Sequence, residues 1–207
     1  MVPKSPFVVY QEFLSPLMCE EIIDLMDVTV PDVDKDNKPL PSLRHNTKGE
    51  EIVFDRFSRL FKGVEKYYNV EYRGTEKMLF EWYPQGSTGK LVCDGSDFMG
   101  KKWVRTKDRD ITSVLFLSDY SESAAFDSLY EVYGGKLEFP NHNFGFNPER
   151  GTLVMFPSTP HFLNAVAPVR VGDSFQIRIH MATRTPFLYQ PGDFPGNFLS
   201  WFPNLIG

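Results

Sequence analysis

Cysteine is scarce: Cys19 and Cys93 are the only two in 207 residues. Two thiols exclude a disulfide scaffold and a four-thiolate zinc site, and they fit a reducing compartment. No apolar run reaches the length of a membrane span, and residues 1–10 lack the apolar stretch of a signal peptide. A soluble, cytoplasmic protein with no membrane partner is expected. An excess of positive charge is also missing, since 22 Lys and Arg stand against 27 Asp and Glu for a net charge of −5. No nucleic-acid partner is therefore expected. The one basic run, Lys101, Lys102, Arg105, Lys107 and Arg109 against Asp108, reads as a solvated loop or as a lip that steers an acidic substrate. There is no Gly-rich phosphate loop, no CxxC pair, no GxSxG elbow and no helical HExxH pair among His45, His142, His161 and His180.

What is present is ordinary globular material, 42% hydrophobic and 24% charged, with an aromatic share of 15% that suits strands and barrel interiors. Phe7–Tyr10 reads as a short strand. Ser15 followed by Pro16 predicts a helix start, with Leu17, Ile22, Ile23, Leu25 and Met26 as its apolar face. Pro31–Ser42 is a loop. Thr47 and Glu50 form a capping-box pattern before a second helix running from about Glu50 to Tyr68. After Tyr72 the pattern changes to short strands, at Met78–Tyr83, Ile111–Leu117, Gly135–Phe139, Thr152–Phe156 and Ser174–Met181, punctuated by Gly, Pro, Asn and Asp. Helices first and strands afterwards predict a mainly β domain, a jelly roll backed by N-terminal helices. The chain divides into helical support (1–72), jelly-roll core (73–184) and an aromatic, Pro-rich tail (185–207) within one domain. The tail either packs on its own domain or forms an arm for a homodimer.

The strand-rich half carries an ordered set of short motifs. Tyr83-Pro84-Gln85-Gly86 leads to Val92-Cys93-Asp94. Next come Thr112 to Asp119 and Gly134-Gly135-Lys136-Leu137-Glu138-Phe139. Pro148 to Pro157, His161 and Pro168-Val169-Arg170-Val171-Gly172 complete it. In this order, across roughly Met78–Met181, the chain resembles the Fe(II)- and 2-oxoglutarate-dependent oxygenases, in their prolyl 4-hydroxylase-like branch of phage and marine-bacterial type.

The resemblance implies a double-stranded β-helix holding Fe(II) on two His and one carboxylate. Asp94 takes the carboxylate position and His161 the distal His position. Val92 stands where the first His belongs, and valine cannot bind a metal. Cys93, His45, His142 and His180 are the remaining residues that could substitute. For 2-oxoglutarate the candidates are Arg178 as basic anchor, if its strand face is the inner one, with Tyr83, Lys136 and Thr112. Arg44 and Asn46, before the second helix, would line a substrate groove. The implied function is hydroxylation of an aliphatic C–H in a prolyl or similar peptide or amino-acid substrate. It would use Fe(II), 2-oxoglutarate and O2, with ascorbate as a further candidate cofactor. The alternative is a catalytically impaired or inactive jelly-roll binding module, which Val92 favours, because metal affinity is built from few strong bonds. A third reading is an assembly protein that uses the aromatic tail.

Overall fold

In the computed structural model, residues 5–126 and 128–186 are described. The tail from residue 187 onward, and with it the dimer arm, lies outside them.

The elements follow the predicted order. Strand β1 (Val8–Tyr10) precedes helix α1 (Pro16–Asp24). Strand β2 (Ser42–Arg44) precedes helices α2 (Thr47–Ser58) and α3 (Phe61–Tyr68). Then come β3 (Tyr72–Thr75), β4 (Leu79–Tyr83), β5 (Ser96–Met99), β6 (Lys102–Arg105) and β7 (Ile111–Phe116). The rest are β8 (Glu131–Gly134), β9 (Leu137–Phe139), β10 (Phe144–Phe146), β11 (Leu153–Pro157), β12 (Ala165–Val166), β13 (Val169–Gly172) and β14 (Ser174–Thr183). The major sheet runs β1-β11-β7-β14-β4-β2, with β3 paired to the end of β14. Two smaller sheets accompany it: β10-β9-β12, and β8-β13 with the short ladder at 119–120. This is the expected mainly β jelly roll with N-terminal helical support.

Ser15 caps α1 as predicted, its side chain accepting from the Met18 N–H at 3.4 Å. The second helix differs in two ways. Its cap is Asn46 rather than Thr47, because the Asn46 carboxamide oxygen reaches the Gly49 N–H at 2.7 Å. Glu50 turns instead to the Met78 N–H at 3.1 Å, tying α2 to the sheet. The run also breaks into two helices at Arg59-Leu60, where Leu60 N–H bonds three residues back to Phe57. The break lets Val53 and Phe57 of α2 and Val64 of α3 all reach the core.

Every residue of β7 and nearly every residue of β14 is buried, as central strands covered on both faces must be. Along β14 the faces still differ. Phe175, Ile177, Ile179 and Met181 belong to the apolar core with Phe80, Phe116 and Phe156. Ser174, Gln176, Arg178 and His180 share the other face, and register places them opposite Tyr83, Glu81, Leu79 and Thr112 respectively.

Candidate functional site

The polar face of β14 opens into a cavity of about 210 Å³ at one end of the barrel. Its walls include Glu81, Tyr83, Lys90, Val92, Asp94, Lys107, Arg109, Arg178 and His180. Asp94 is brought there by a tight turn. Gly95 donates its N–H to the Ser158 carbonyl at 3.1 Å, and a Cβ at Gly95 would lie 2.6 Å from the Arg109 oxygen and 2.7 Å from the Ser158 oxygen. Only glycine fits between these two backbones. On the near side of the turn, Val92 and Asn164 exchange both backbone hydrogen bonds, at 2.9 and 3.0 Å.

The pairing at Asp94 decides the chemistry of the site. The Asp94 carboxylate is 5% exposed. The Arg178 guanidinium donates to both its oxygens, at 3.2 and 3.3 Å, and the Asn164 side-chain amide donates to Oδ2 at 2.9 Å. Arg178 also donates to the Asn164 carboxamide oxygen at 3.0 Å and, through Nε, to Glu81 at 3.2 Å. Glu81 in turn accepts from Tyr83 at 3.3 Å and from the Gln176 amide. Both carboxylates are thus fully engaged by one buried cation and three neutral donors.

The ionisation states follow. Burial pushes the Asp94 carboxyl up, but the charge of Arg178, with His180, Asn164 and Arg109, outweighs it and holds the group below the usual carboxylate range. Burial pulls the Arg178 pKa down, yet Glu81 and Asp94 hold it above the usual value. Burial and the Glu81 charge push the Tyr83 hydroxyl up, so it stays protonated. Burial drives His180 down to about 4, and the pull of Asp94 restores only part of this. His180 is therefore a neutral imidazole at neutral pH. Its Nε2 is buried without a partner, 4.0 Å from Asp94 Oδ1.

The sequence-predicted residues separate on this map. Asp94, Val92, Tyr83 and Arg178 converge on the cavity. His161 is not among the residues lining it. It sits in a 3-10 turn (Pro160–Phe162), and its carbonyl accepts from His142 Nε2 at 2.8 Å. The side chain this segment delivers to Asp94 is Asn164, three residues on. Arg178 faces inward as required for an anchor, but its guanidinium is spent on Asp94, Glu81 and Asn164. Thr112 is buried behind His180, its hydroxyl 3.3 Å from Nδ1 and 2.7 Å from Ser158 Oγ. Lys136 lines a different cavity, with Glu138, Phe139 and Phe144. Arg44 bonds the Val30 carbonyl at 3.0 Å and lies over the Trp82 ring, and Asn46 is consumed as a helix cap and by the Ile22 carbonyl. Cys93 turns its thiol to the Ser158 carbonyl at 3.5 Å, and burial raises its pKa. One signal for Asn164 was present: it is the only polar side chain between Phe162 and Val169.

The residues present do not fit the iron that the resemblance implies. Among the described residues no group of three His, Cys, Asp or Glu could hold a metal ion. The positions that surround Asp94 carry Val92, which has no donor, and Asn164, whose amide is turned to Asp94. A guanidinium already balances the carboxylate.

The sequence matches no family model and no curated protein. The fold does match solved structures. The viral collagen prolyl hydroxylase of Paramecium bursaria Chlorella virus-1, solved with 2-oxoglutarate, superposes with a TM-score of 0.64 at 18% identity, covering 87% of this chain and 97% of that one. A Pseudomonas putida prolyl-4-hydroxylase gives 0.59 at 14% identity, over 87% and 94%. A Trichoplax adhaerens prolyl hydroxylase, in complex with a hypoxia-inducible factor peptide fragment, gives 0.52 at 14%, over 86% and 84%. The jelly roll described here is the prolyl hydroxylase fold.

Proposed function

We propose that this chain is a metal-independent ligand-binding module built on the prolyl hydroxylase fold. The observation that carries this reading is the contact of Arg178 and Asn164 with Asp94: a fixed organic cation and an amide meet the acid that a metal would need. A metal ion would have to displace a buried, charge-balanced guanidinium and would gain a single anionic ligand for it.

Anaerobic titration with Fe(II) and 2-oxoglutarate tests the reading. We expect no stoichiometric metal after dialysis, no visible charge-transfer band and no succinate release. The companion variant Val92→His/Asn164→His/Arg178→Gln should acquire Co(II) with the absorption of a protein-bound ion. Tight metal binding by the unmodified chain would refute the proposal.

The second reading is the oxygenase itself, hydroxylating a prolyl or similar residue with Fe(II), 2-oxoglutarate, O2 and ascorbate. The likeness to prolyl hydroxylases favours it, one of them solved with 2-oxoglutarate and another with a peptide. It requires Asp94 to leave Arg178 for the metal. Stoichiometric iron together with 2-oxoglutarate turnover would establish it. Either reading is consistent with a protein of the cytoplasm, since both cysteines are free thiols and no described helix is long and apolar enough to cross a membrane.

A further inference from the structure

Among the described residues one apolar strip of the surface lies open. A groove of about 360 Å³ separates α2 from the chain between β3 and β4. Glu50, Glu51 and Phe54 line it on the helix side, and Thr75, Glu76 and Met78 on the other. Phe54 is 44% exposed, while Val53 and Phe57 of the same helix are buried. The Phe54 ring meets Phe61 edge-on, 6.3 Å between centroids, and Phe61 stacks on Tyr72 at 4.0 Å. The three rings carry the apolar surface from the groove to the first residue of β3. Charge around the groove is nearly balanced: Arg109 neutralises Glu76, and Lys77 joins Glu50 and Glu51 in the lining. Such a lining suits an uncharged, apolar occupant.

The chain itself carries a candidate occupant to this strip. β14 ends alongside β3, with Met181 opposite Thr75 and Thr183 opposite Tyr72. Arg184 continues the ladder, donating its N–H to the Glu71 carbonyl at 2.9 Å, and its guanidinium meets the Glu71 carboxylate at 2.9 Å. Residue 187 follows at most about 10 Å further on. Of the 21 residues from 187 to 207, six are aromatic, four are Leu or Ile, and Asp193 alone is charged. A segment of that composition is stabilised by leaving water for an apolar surface. Its extended length of up to about 70 Å is ample, since Met78 at the far side of the groove is roughly 20 Å of chain from Tyr72. Another apolar cavity, lined by Ile23, Met26 and Phe175, adjoins the opposite end of β14, about 30 Å from the exit. We propose that residues 187–207 dock in the groove between α2 and β4 of their own chain, their aromatic side chains covering Phe54, Phe61 and Tyr72. The docked segment then abuts Glu76, which holds Arg109 at the wall of the cavity beside Asp94. It braces that wall from outside. The inference is independent of whether the cavity takes a metal.

The test is photo-crosslinking of the full chain with p-benzoyl-phenylalanine in place of Phe54, irradiated at low micromolar concentration and mapped by peptide mass spectrometry. Crosslinks from position 54 to residues 187–207 within one chain are expected. The same probe in place of Leu17, an exposed residue of α1, should give none. Hydrogen exchange supplies a second readout that does not depend on the probe. Phe54→Asp puts a charge on the strip at an exposed position. It should speed exchange in residues 187–207 severalfold and leave the buried strand β7 as slow as in the native chain. Crosslinks that never reach residues 187–207 would overturn the inference, as would tail exchange that Phe54→Asp leaves unaltered. Crosslinks found only in covalent dimers would also overturn it, and would assign the groove to the tail of a second copy.

Discussion

Replacing Arg178 by Met removes the buried cation while keeping most of the side-chain volume. Asp94 then retains the Asn164 amide as its direct donor, with His180 at 4.0 Å, while Glu81 keeps Tyr83 and Gln176. Breaking a buried pair by deleting one partner costs about 3–5 kcal/mol, because the stranded charge keeps its desolvation penalty. In a domain of this size each kcal/mol moves Tm by roughly 2–4 °C, so a fall of about 6–20 °C is expected. The pH dependence should also change sign. In the native chain the folded Asp94 pKa is depressed, so its contribution is present above the unfolded value near 3.8 and is lost as pH falls through the folded value. Without Arg178, burial raises the folded pKa, and the variant should regain stability relative to the native chain as pH falls and Asp94 protonates. Adding Asp94→Asn to Arg178→Met should recover at least about 1 kcal/mol, a coupling typical of residues in contact. Urea unfolding at several pH values, for the two single variants and the double, measures all of this. A single variant within about 1 kcal/mol of the native chain, or with unaltered pH behaviour, would refute the claim that Arg178 neutralises this carboxylate.

Two further outcomes follow from the same geometry. His180 is held neutral in the folded chain with its pKa lowered from 6.5 to about 4. Unfolding therefore takes up a proton in that interval, and stability should fall as pH drops from 6.5 toward 4. At about 1.4 kcal/mol per pH unit the loss is about 3 kcal/mol, and His180→Phe should flatten this part of the urea-midpoint profile. Gly95→Ala would set a Cβ against two backbone oxygens at 2.6 and 2.7 Å. It should destabilise the chain by about 1–3 kcal/mol and displace Asp94, read as a lower Tm.

The sequence by itself determined the fold class. Alternating strands between Gly, Pro and Asn turns, preceded by an N-capped amphipathic helix, specify which faces must be buried, and that pattern, with the ordered motifs of the strand-rich half, points to a jelly roll. The strand predicted at Met78–Tyr83 forms as Leu79–Tyr83, and that at Thr152–Phe156 as Leu153–Pro157. The site was legible in part: Asp94, Tyr83 and Arg178 could be named, and Val92 leaves no donor at the position of the first His. Local context failed where a contact came from far along the chain. Helix α2 is capped by Asn46 because that side chain also reaches Ile22, and the basic run became the β5–β6 hairpin with Gly100 at a φ of +66° in its turn.

Only the tertiary structure decided what Asp94 meets. Asn164 and Arg178 lie 70 and 84 residues away from it. Periodicity could say that Arg178, Gln176 and Ser174 share a face of β14, but not which face is inner, because the strand is buried on both sides. It is the roll of the sheet that puts the Arg178 guanidinium against the acid. Pair energies in a low-dielectric interior depend on that placement and leave no trace in the order of residues.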